Sequence, residues 1–220
     1  MTKPIFTGVC TALVTPFLEN RLNTPMLRQL IRRQELAGVD ALVICGTTGE
    51  SAALTDAEKL ELFRVSREAI PEGLPFIAGT GSNNTSHAVA LSQAAQELGA
   101  DALLVVSPYY NKATEDGLYR HYRCIAEAVS IPVILYNVPS RTGLDIPVSV
   151  YKKLAEIPNI VGVKEASSDI RKIAKIRQQC PRDFSAWCGN DDLAVPALSL
   201  GAAGLISVVS NVEPELTRAM

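Results

Sequence analysis

Ile160–Ala166 reads Ile-Val-Gly-Val-Lys-Glu-Ala and is the most informative segment of the sequence. It is apolar and rich in β-branched residues, so it predicts a strand that is buried on both faces. Side chains alternate between the faces of a strand, which places Gly162 and Lys164 on one face and Glu165 on the other. A lysine within a buried strand is costly and calls for an explanation.

Lys164 has two interpretations. Burial disfavours the charged form of a lysine, and the neutral amine can attack a carbonyl carbon. In this interpretation Gly162 leaves space beside Lys164, which is a candidate nucleophile. In the other interpretation the long side chain extends past the strand end to solvent and takes no part in chemistry.

Seven further segments have the apolar character of buried strands, and helix signals separate them. Thr24-Pro25 predicts the start of a first helix, with the threonine as N-cap, and Gly38 predicts its end. Thr55 and Glu58 have the spacing of a capping box at the start of a second helix. The predicted strands are Gly8–Phe17, Asp40–Cys45, Pro75–Ala78, Asp101–Val106, Pro132–Tyr136, Phe184–Cys188 and Gly204–Val208.

An internal repeat supports this alternation of helices and strands. Ala37–Leu42 (Ala-Gly-Val-Asp-Ala-Leu) recurs as Leu98–Leu103 (Leu-Gly-Ala-Asp-Ala-Leu) and, more loosely, as Leu200–Leu205. Each copy is a glycine helix stop that runs into an apolar strand. Eight strands that alternate with helices predict an α/β protein, a (β/α)8 TIM barrel that forms a single domain over residues 1–220. A doubly wound open sheet is the alternative, although no Gly-x-Gly-x-x-Gly follows the first strand.

Composition narrows the classes of function. The chain has 220 residues, of which 47% are apolar, and a net charge of −2, so it lacks the basic surface of a nucleic-acid or anionic-membrane protein. Its apolar runs are too short to span a bilayer, and its first residues lack the apolar core of a signal peptide. The five cysteines show no metal or redox spacing, so we expect free thiols in the cytoplasm.

Candidate functional residues follow from the barrel prediction, because barrel active sites lie at the carboxyl ends of the strands. Hydroxyl and phenol groups gather there around one amine, although each has a structural alternative, such as turn formation for the threonines or simple burial for Tyr136. An arginine on a loop at the barrel mouth, Arg141, suits a substrate carboxylate, unless it is a solvated surface residue. The residues at the carboxyl ends of the predicted strands are Thr47, Thr48, Tyr109, Tyr110, Tyr136, Lys164, Gly189 and Asn190.

We predict neither a metal nor a cofactor. The two histidines, His87 and His121, lie on predicted helices without neighbouring ligands. The glycine-rich loops Gly46–Gly49 and Gly79–Gly81 lack the Gly-Lys-Ser/Thr of a phosphate-binding loop. We expect them to be tight turns, one of which binds a carboxylate.

Three of these segments together resemble the dihydrodipicolinate synthase / N-acetylneuraminate lyase family. They are Gly46–Glu50 (Gly-Thr-Thr-Gly-Glu), Tyr136–Gly143 (Tyr-Asn-Val-Pro-Ser-Arg-Thr-Gly) and Gly162–Ala166, and the resemblance extends over the whole chain. The paired threonines, Ser107–Tyr110 and Arg141 look like the dihydrodipicolinate synthase branch. Family members are longer, so we expect this chain to be truncated in the eighth helix and to lack the C-terminal helical extension.

The resemblance implies a reaction. Lys164 would form a Schiff base with pyruvate, and the resulting enamine would attack aspartate semialdehyde to give 4-hydroxy-tetrahydrodipicolinate, on the path to diaminopimelate and lysine. Tyr136, Thr47 and Tyr110 would relay protons, with Tyr110 supplied by a neighbouring subunit of a dimer or a dimer of dimers. The implied substrate-binding residues are Thr48, Arg141, Gly189 and Ile206. Two alternatives remain: a pyruvate-dependent lyase acting on a sialic or keto-deoxy sugar acid, and an inactive remnant that serves as a binding or assembly subunit.

The resemblance also has a regulatory implication. In lysine-inhibited members, lysine binds near the active site in a region that corresponds here to Ser51–Lys59, Asn83–His87 and Tyr109. His87 stands where sensitive members have a glutamate, and Lys59 where a histidine is typical. A carboxylate is lost and a positive charge gained, so we predict that lysine does not inhibit this protein.

Overall fold

A computed structural model describes residues 4–220, which form a closed barrel of eight parallel strands. Each strand pairs with the next along the chain, and the eighth pairs with the first through Gly8↔Gly204 and the three following positions. The predicted TIM barrel is confirmed, and the open sheet is wrong. The strands are β1 Gly8–Ala12, β2 Ala41–Ile44, β3 Phe76–Gly79, β4 Ala102–Val106, β5 Val133–Asn137, β6 Ile160–Glu165, β7 Ser185–Cys188 and β8 Gly204–Ser207.

A helix follows every strand. The helices are α1 Thr24–Leu36, α2 Asp56–Ala69, α3 Thr85–Glu97, α4 Glu115–Glu127, α5 Val148–Leu154, α6 Arg171–Gln179, α7 Ala194–Ser199 and α8 Pro214–Ala219. The predicted capping box of α2 is present, because Thr55 accepts a hydrogen bond from the Glu58 amide and Glu58 accepts one from the Thr55 amide. The predicted cap of α1 is wrong by one residue. The side chain of Asn23 accepts a hydrogen bond from the Met26 amide, and Thr24 is the first helical residue.

The strands separate two apolar layers. The outer layer lies between strands and helices and holds most of the large side chains. The inner layer fills the barrel with smaller residues such as Cys10, Ala41 and Val43, since little space remains inside eight strands. At the amino-terminal end of the barrel, the rings of Phe6 and Trp187 stack with centroids 5.2 Å apart.

Side chains after β8 reinforce the closure of the barrel. The Asn211 amide donates to the carbonyl of Ala12 at 2.8 Å and accepts from the backbone of Val14. The Gln34 amide donates to the Ser210 carbonyl at 2.9 Å, while its oxygen accepts from the buried hydroxyl of Thr11. The loop after β8 is thus fixed to β1 and α1.

All five cysteines are free. Burial raises the pKa of Cys45 to about 12 and that of Cys180 to about 11, which keeps both groups as unreactive thiols. Within residues 4–220 no helix combines the length and apolar character that crossing a membrane would require.

Candidate active site

The predicted nucleophile, Lys164, lies inside the barrel near the carboxyl end of β6. It stands opposite Tyr136 of β5 and Trp187 of β7 and is 4% exposed, so the side chain does not extend to solvent. Within the described part of the chain, no carboxylate forms an ion pair with its Nζ atom. Burial of an ammonium group without an opposite charge is unfavourable, so the position of Lys164 is not explained by a contribution to stability.

Tyr136 lies beside Lys164 inside the barrel. The Nζ atom lies 4.6 Å from the centroid of the tyrosine ring. As predicted from the strand phase, Tyr136 faces the barrel interior together with Ile134 and is buried. Across residues 4–220, no protein group forms a hydrogen bond with its hydroxyl. The phenol is therefore available to a bound molecule.

Gly189, rather than Gly162, makes room for the lysine. A Cβ atom on Gly189 would lie 3.0 Å from Cε of Lys164 and 2.6 Å from Cβ of Ala166. A Cβ atom on Gly162 would instead meet the carbonyl oxygen of Ser185 at 2.2 Å and the Trp187 ring at 2.7 Å. The predicted role of Gly162 is wrong because this glycine lets β7 and its tryptophan approach β6.

The loop after β2 carries the two threonines. Thr47 is exposed and Thr48 half-buried, and neither hydroxyl is bonded to another of the residues described. The hydroxyl of Thr15 donates to the Gly49 carbonyl at 2.7 Å, which ties the loop to the segment after β1. A small cavity of about 20 Å³, enough for one water molecule, borders Thr47 and Tyr136.

Tyr110 and Arg141 lie at the barrel mouth. Tyr110 is 89% exposed and adopts φ +70°, so within a single chain its phenol is directed to solvent and does not pack in the barrel. Arg141 lies on the short helical turn Pro139–Thr142, is exposed, and has no carboxylate partner among residues 4–220. With Thr47 and Tyr109 it borders a cleft of about 860 Å³.

The remaining predicted residues, Gly189 and Ile206, occupy different depths. The Gly189 amide donates to the Glu165 carbonyl at 2.8 Å, which places it beside the lysine. Ile206 is fully buried in the inner layer on β8, opposite Cys10. It lies in the apolar interior of the barrel.

This arrangement has defined chemical capacities. Lys164 supplies an amine, and Tyr136 supplies a phenol that can transfer protons. The Nζ atom of the lysine lies 4.6 Å from the centroid of the tyrosine ring. The threonine hydroxyls and the guanidinium of Arg141 are free to bind carboxylates. Such a set suits carbonyl chemistry on small anionic substrates.

A family model matches nearly the whole described chain. The model of the dihydrodipicolinate synthetase family covers residues 5–220. The chain belongs to this family. A 4-hydroxy-tetrahydrodipicolinate synthase of Acetivibrio thermocellus is 51% identical to it over 217 residues, which are 99% of this chain and 74% of that protein.

Solved structures of dihydrodipicolinate synthases have the same fold. The enzyme of Aquifex aeolicus superposes with a TM-score of 0.96 at 43% identity, covering 97% of this chain and 73% of that one. The Acinetobacter baumannii enzyme was crystallised in complex with pyruvate. It superposes with a TM-score of 0.95 at 41% identity, covering 97% of this chain and 74% of that one. The family resemblance read from the sequence is confirmed.

Two polar clusters near the site were missed by sequence reasoning. One joins Asn137, Glu165 and Lys172 on the outer side of the barrel, where β5 and β6 end. The other places His87 3.0 Å from Asp56 and Lys59 3.4 Å from the same carboxylate, along the wall of the large cleft. Asp56 and Lys59 are three residues apart on α2, but each cluster also joins residues that are distant in sequence, and no spacing rule signals those contacts.

Proposed function

We propose that this protein condenses pyruvate with aspartate semialdehyde, through a Schiff base on Lys164, to give 4-hydroxy-tetrahydrodipicolinate. One observation carries the proposal: a buried lysine without a described carboxylate partner lies 4.6 Å from the ring of a tyrosine whose hydroxyl is free. The names of the relatives support the same choice of substrates.

The proposed reaction begins at the ketone of pyruvate. Lys164 attacks the carbonyl carbon and water leaves, which forms an imine. The imine withdraws electrons, so a methyl proton is lost and an enamine forms. The enamine carbon attacks the aldehyde of the second substrate, whose amino group then attacks the imine carbon, closes the ring and releases Lys164.

Each predicted site residue has a role in this proposal. Tyr136 transfers protons to and from the reacting oxygen and nitrogen atoms, with Thr47 and Tyr110 continuing the relay. Thr48 and nearby backbone amides hold the pyruvate carboxylate. Arg141 holds the carboxylate of aspartate semialdehyde. Gly189 leaves space for the lysine and its adduct, and Ile206 contributes to the apolar floor.

Trapping with borohydride tests the proposed nucleophile. Reduction in the presence of pyruvate is expected to fix one pyruvate-derived group on the peptide that contains Lys164, detected by mass spectrometry. The Lys164→Ala variant is expected to give no adduct. An adduct on another lysine would contradict the assignment to Lys164. No adduct on folded wild-type protein would favour an inactive binding subunit.

Turnover tests the proposed second substrate. Arg141→Ala is expected to weaken turnover of aspartate semialdehyde and to leave trapping of pyruvate intact, because only the second carboxylate loses its partner. Equal loss of pyruvate trapping would assign Arg141 to the wrong substrate. Faster cleavage of N-acetylneuraminate than condensation of aspartate semialdehyde would assign the chain to the other branch.

We further propose a homo-oligomer, a dimer or a dimer of dimers, in which Tyr110 enters the site of a neighbouring copy. Its 89% exposure in the single chain supports this, since a relay residue needs a partner nearby. Lys164→Ala and Tyr110→Ala are each expected to be inactive, and mixed chains refolded together are expected to regain activity, because one site then holds both residues. Absence of complementation in a mixed dimer would place Tyr110 within its own site.

We propose the cytoplasm as the compartment. The five free cysteines, four of them buried, support a reducing environment. Fractionation of cells that express the protein tests this. Recovery of the activity outside the cytoplasmic fraction would contradict the proposal.

A further inference from the structure

Asn137 makes contacts that link the two halves of the site. It is fully buried, directly follows Tyr136 on β5, and pairs in register with Glu165, the neighbour of Lys164. Its amide nitrogen donates to Oε1 of Glu165 at 2.9 Å and to Oδ1 of Asp145 at 2.8 Å. Its amide oxygen accepts from the Ile146 backbone at 3.0 Å.

These contacts close a loop. Residues 138–145 leave the barrel after Asn137 and return at Ile146, and they carry Arg141 on the turn Pro139–Thr142. The Asn137 side chain binds Asp145 and Ile146 at the far end of this loop. Both ends of the segment that presents Arg141 are therefore fixed to one carboxamide.

Glu165 fixes the same carboxamide to the lysine strand. Its side chain is buried and accepts hydrogen bonds from the hydroxyl of Tyr151 at 3.0 Å and the amide of Ser167 at 2.9 Å, in addition to that of Asn137. Lys172 lies 3.8 Å away and forms an ion pair with Asp145. With its oxygens so occupied, the carboxylate acts as a fixed anchor rather than as a base.

We propose that Asn137 is a positioning residue for the second substrate: by clamping the loop of residues 138–145 to Glu165, it holds Arg141 where the aldehyde's carboxylate binds. The proposal rests on the proposed function. Asn137 itself touches neither substrate, since it lies on the outer face of the strand. Its effect is expected on binding of the second substrate and not on Schiff-base formation.

Kinetics of Asn137→Ala test this role. Loss of the clamp is expected to raise the KM for aspartate semialdehyde by about tenfold, because a misplaced binding group weakens the productive complex, while pyruvate trapping at Lys164 changes less than about threefold. Adding Asn137→Ala to Arg141→Ala is expected to raise this KM no further, because the clamp acts through the arginine. If the KM of the double variant instead rose by the product of the two single increases, the proposal would be overturned.

Asn159→Ala is the matched control. Asn159 lies just before the opposite end of β6, and its amide donates to the carbonyls of Ala126 and Val129 at 2.8 and 3.2 Å. Its truncation is expected to lower stability and to leave the KM for the aldehyde unchanged. A KM increase of the same size in this variant would mean that Asn137 has only a structural role.

Hydrogen exchange separates this proposal from the proposed function, because it needs no substrate. In free Asn137→Ala, the Ile146 amide and the loop before it are expected to exchange about tenfold faster than in wild type, and Asn159→Ala is expected to leave them unchanged. Unchanged exchange would overturn the clamp even in an active enzyme. A wild type that neither traps pyruvate nor turns over would instead contradict the proposed function.

If Asn137→Ala does not fold, Asp145→Ala is used for the same tests. The side chain of Asp145 is 57% exposed, and its removal takes away one hydrogen-bond partner of Asn137.

Discussion

The absence of a side chain at Gly189 leaves room for Lys164. A Cβ atom there would lie 3.0 Å from Cε of Lys164, closer than ordinary contacts allow. Gly189→Ala is therefore expected to displace the lysine and to lower the rate of borohydride trapping with pyruvate at least tenfold, because trapping needs a correctly placed amine. Gly117→Ala, on α4 and remote from the site, is the control and is expected to trap at the wild-type rate. Normal trapping in Gly189→Ala would mean that the lysine tolerates displacement.

The hydroxyl of Tyr136 is tested by removing it alone. Tyr136→Phe keeps the ring beside Lys164 and is expected to lower turnover by roughly 10²–10⁴, the range for losing one acid–base group. Tyr122→Phe is the matched control, since this buried tyrosine lies in the outer layer and donates to the Val105 carbonyl at 3.3 Å. It is expected to lose about 1 kcal/mol of stability and no turnover. Full activity of Tyr136→Phe would remove the phenol from the proton path.

At the scale of elements, α4 carries a buried histidine that makes stability depend on pH. His121 is 4% exposed, its Nδ1 lies 2.9 Å from the Thr85 hydroxyl, and its Nε2 has no partner among residues 4–220. Burial lowers the pKa of His121 to about 4. In the unfolded chain the ring has its ordinary pKa near 6.5, so between these values only the unfolded state takes up a proton.

The consequence is a loss of stability on acidification. The contribution of His121 is complete above about pH 6.5 and falls by about 3 kcal/mol as the pH approaches 4. Urea unfolding at pH 7 and pH 5 is expected to show a smaller difference in His121→Gln than in wild type. An unchanged difference between these pH values in His121→Gln would contradict this prediction.

Elements and site differ in how far the sequence predicts them. Strand phase depends on local alternation, which correctly placed Tyr136 and Lys164 inside the barrel. The spacing of Thr55 and Glu58 likewise predicted the α2 cap, which depends on only these two residues, three positions apart. The role of Gly162 was predicted wrongly because the atoms that need its space belong to β7, and strand pairing across the barrel is a tertiary property. The Asn137 clamp was missed for the same reason, since its partners come from two other segments of the chain, Asp145–Ile146 and β6.

At the scale of the whole molecule, loops from neighbouring strands form one large cleft beside the barrel mouth. Its wall combines Asp56 and Lys59 of α2 with His87 of α3 and Tyr109. A hydrogen bond from His87 is the main cause that holds the pKa of Asp56 below its usual range, and Lys59 acts in the same direction. The carboxylate is therefore ionised and already has two cationic or hydrogen-bonding partners from its own chain.

This cleft is expected not to respond to lysine. A lysine ammonium entering it would meet the largely buried charge of Lys59 and a carboxylate that His87 and Lys59 already engage, so binding would lose one attraction and gain a repulsion. Turnover measured with up to several millimolar lysine is expected to stay constant, whereas half-inhibition below about 1 mM would require about −4 kcal/mol of binding from this pocket and would contradict the prediction. The double variant H87E/K59H supplies a carboxylate and removes the fixed positive charge. It is expected to become inhibitable, and its failure to do so would mean that charge at these two positions is not what excludes lysine.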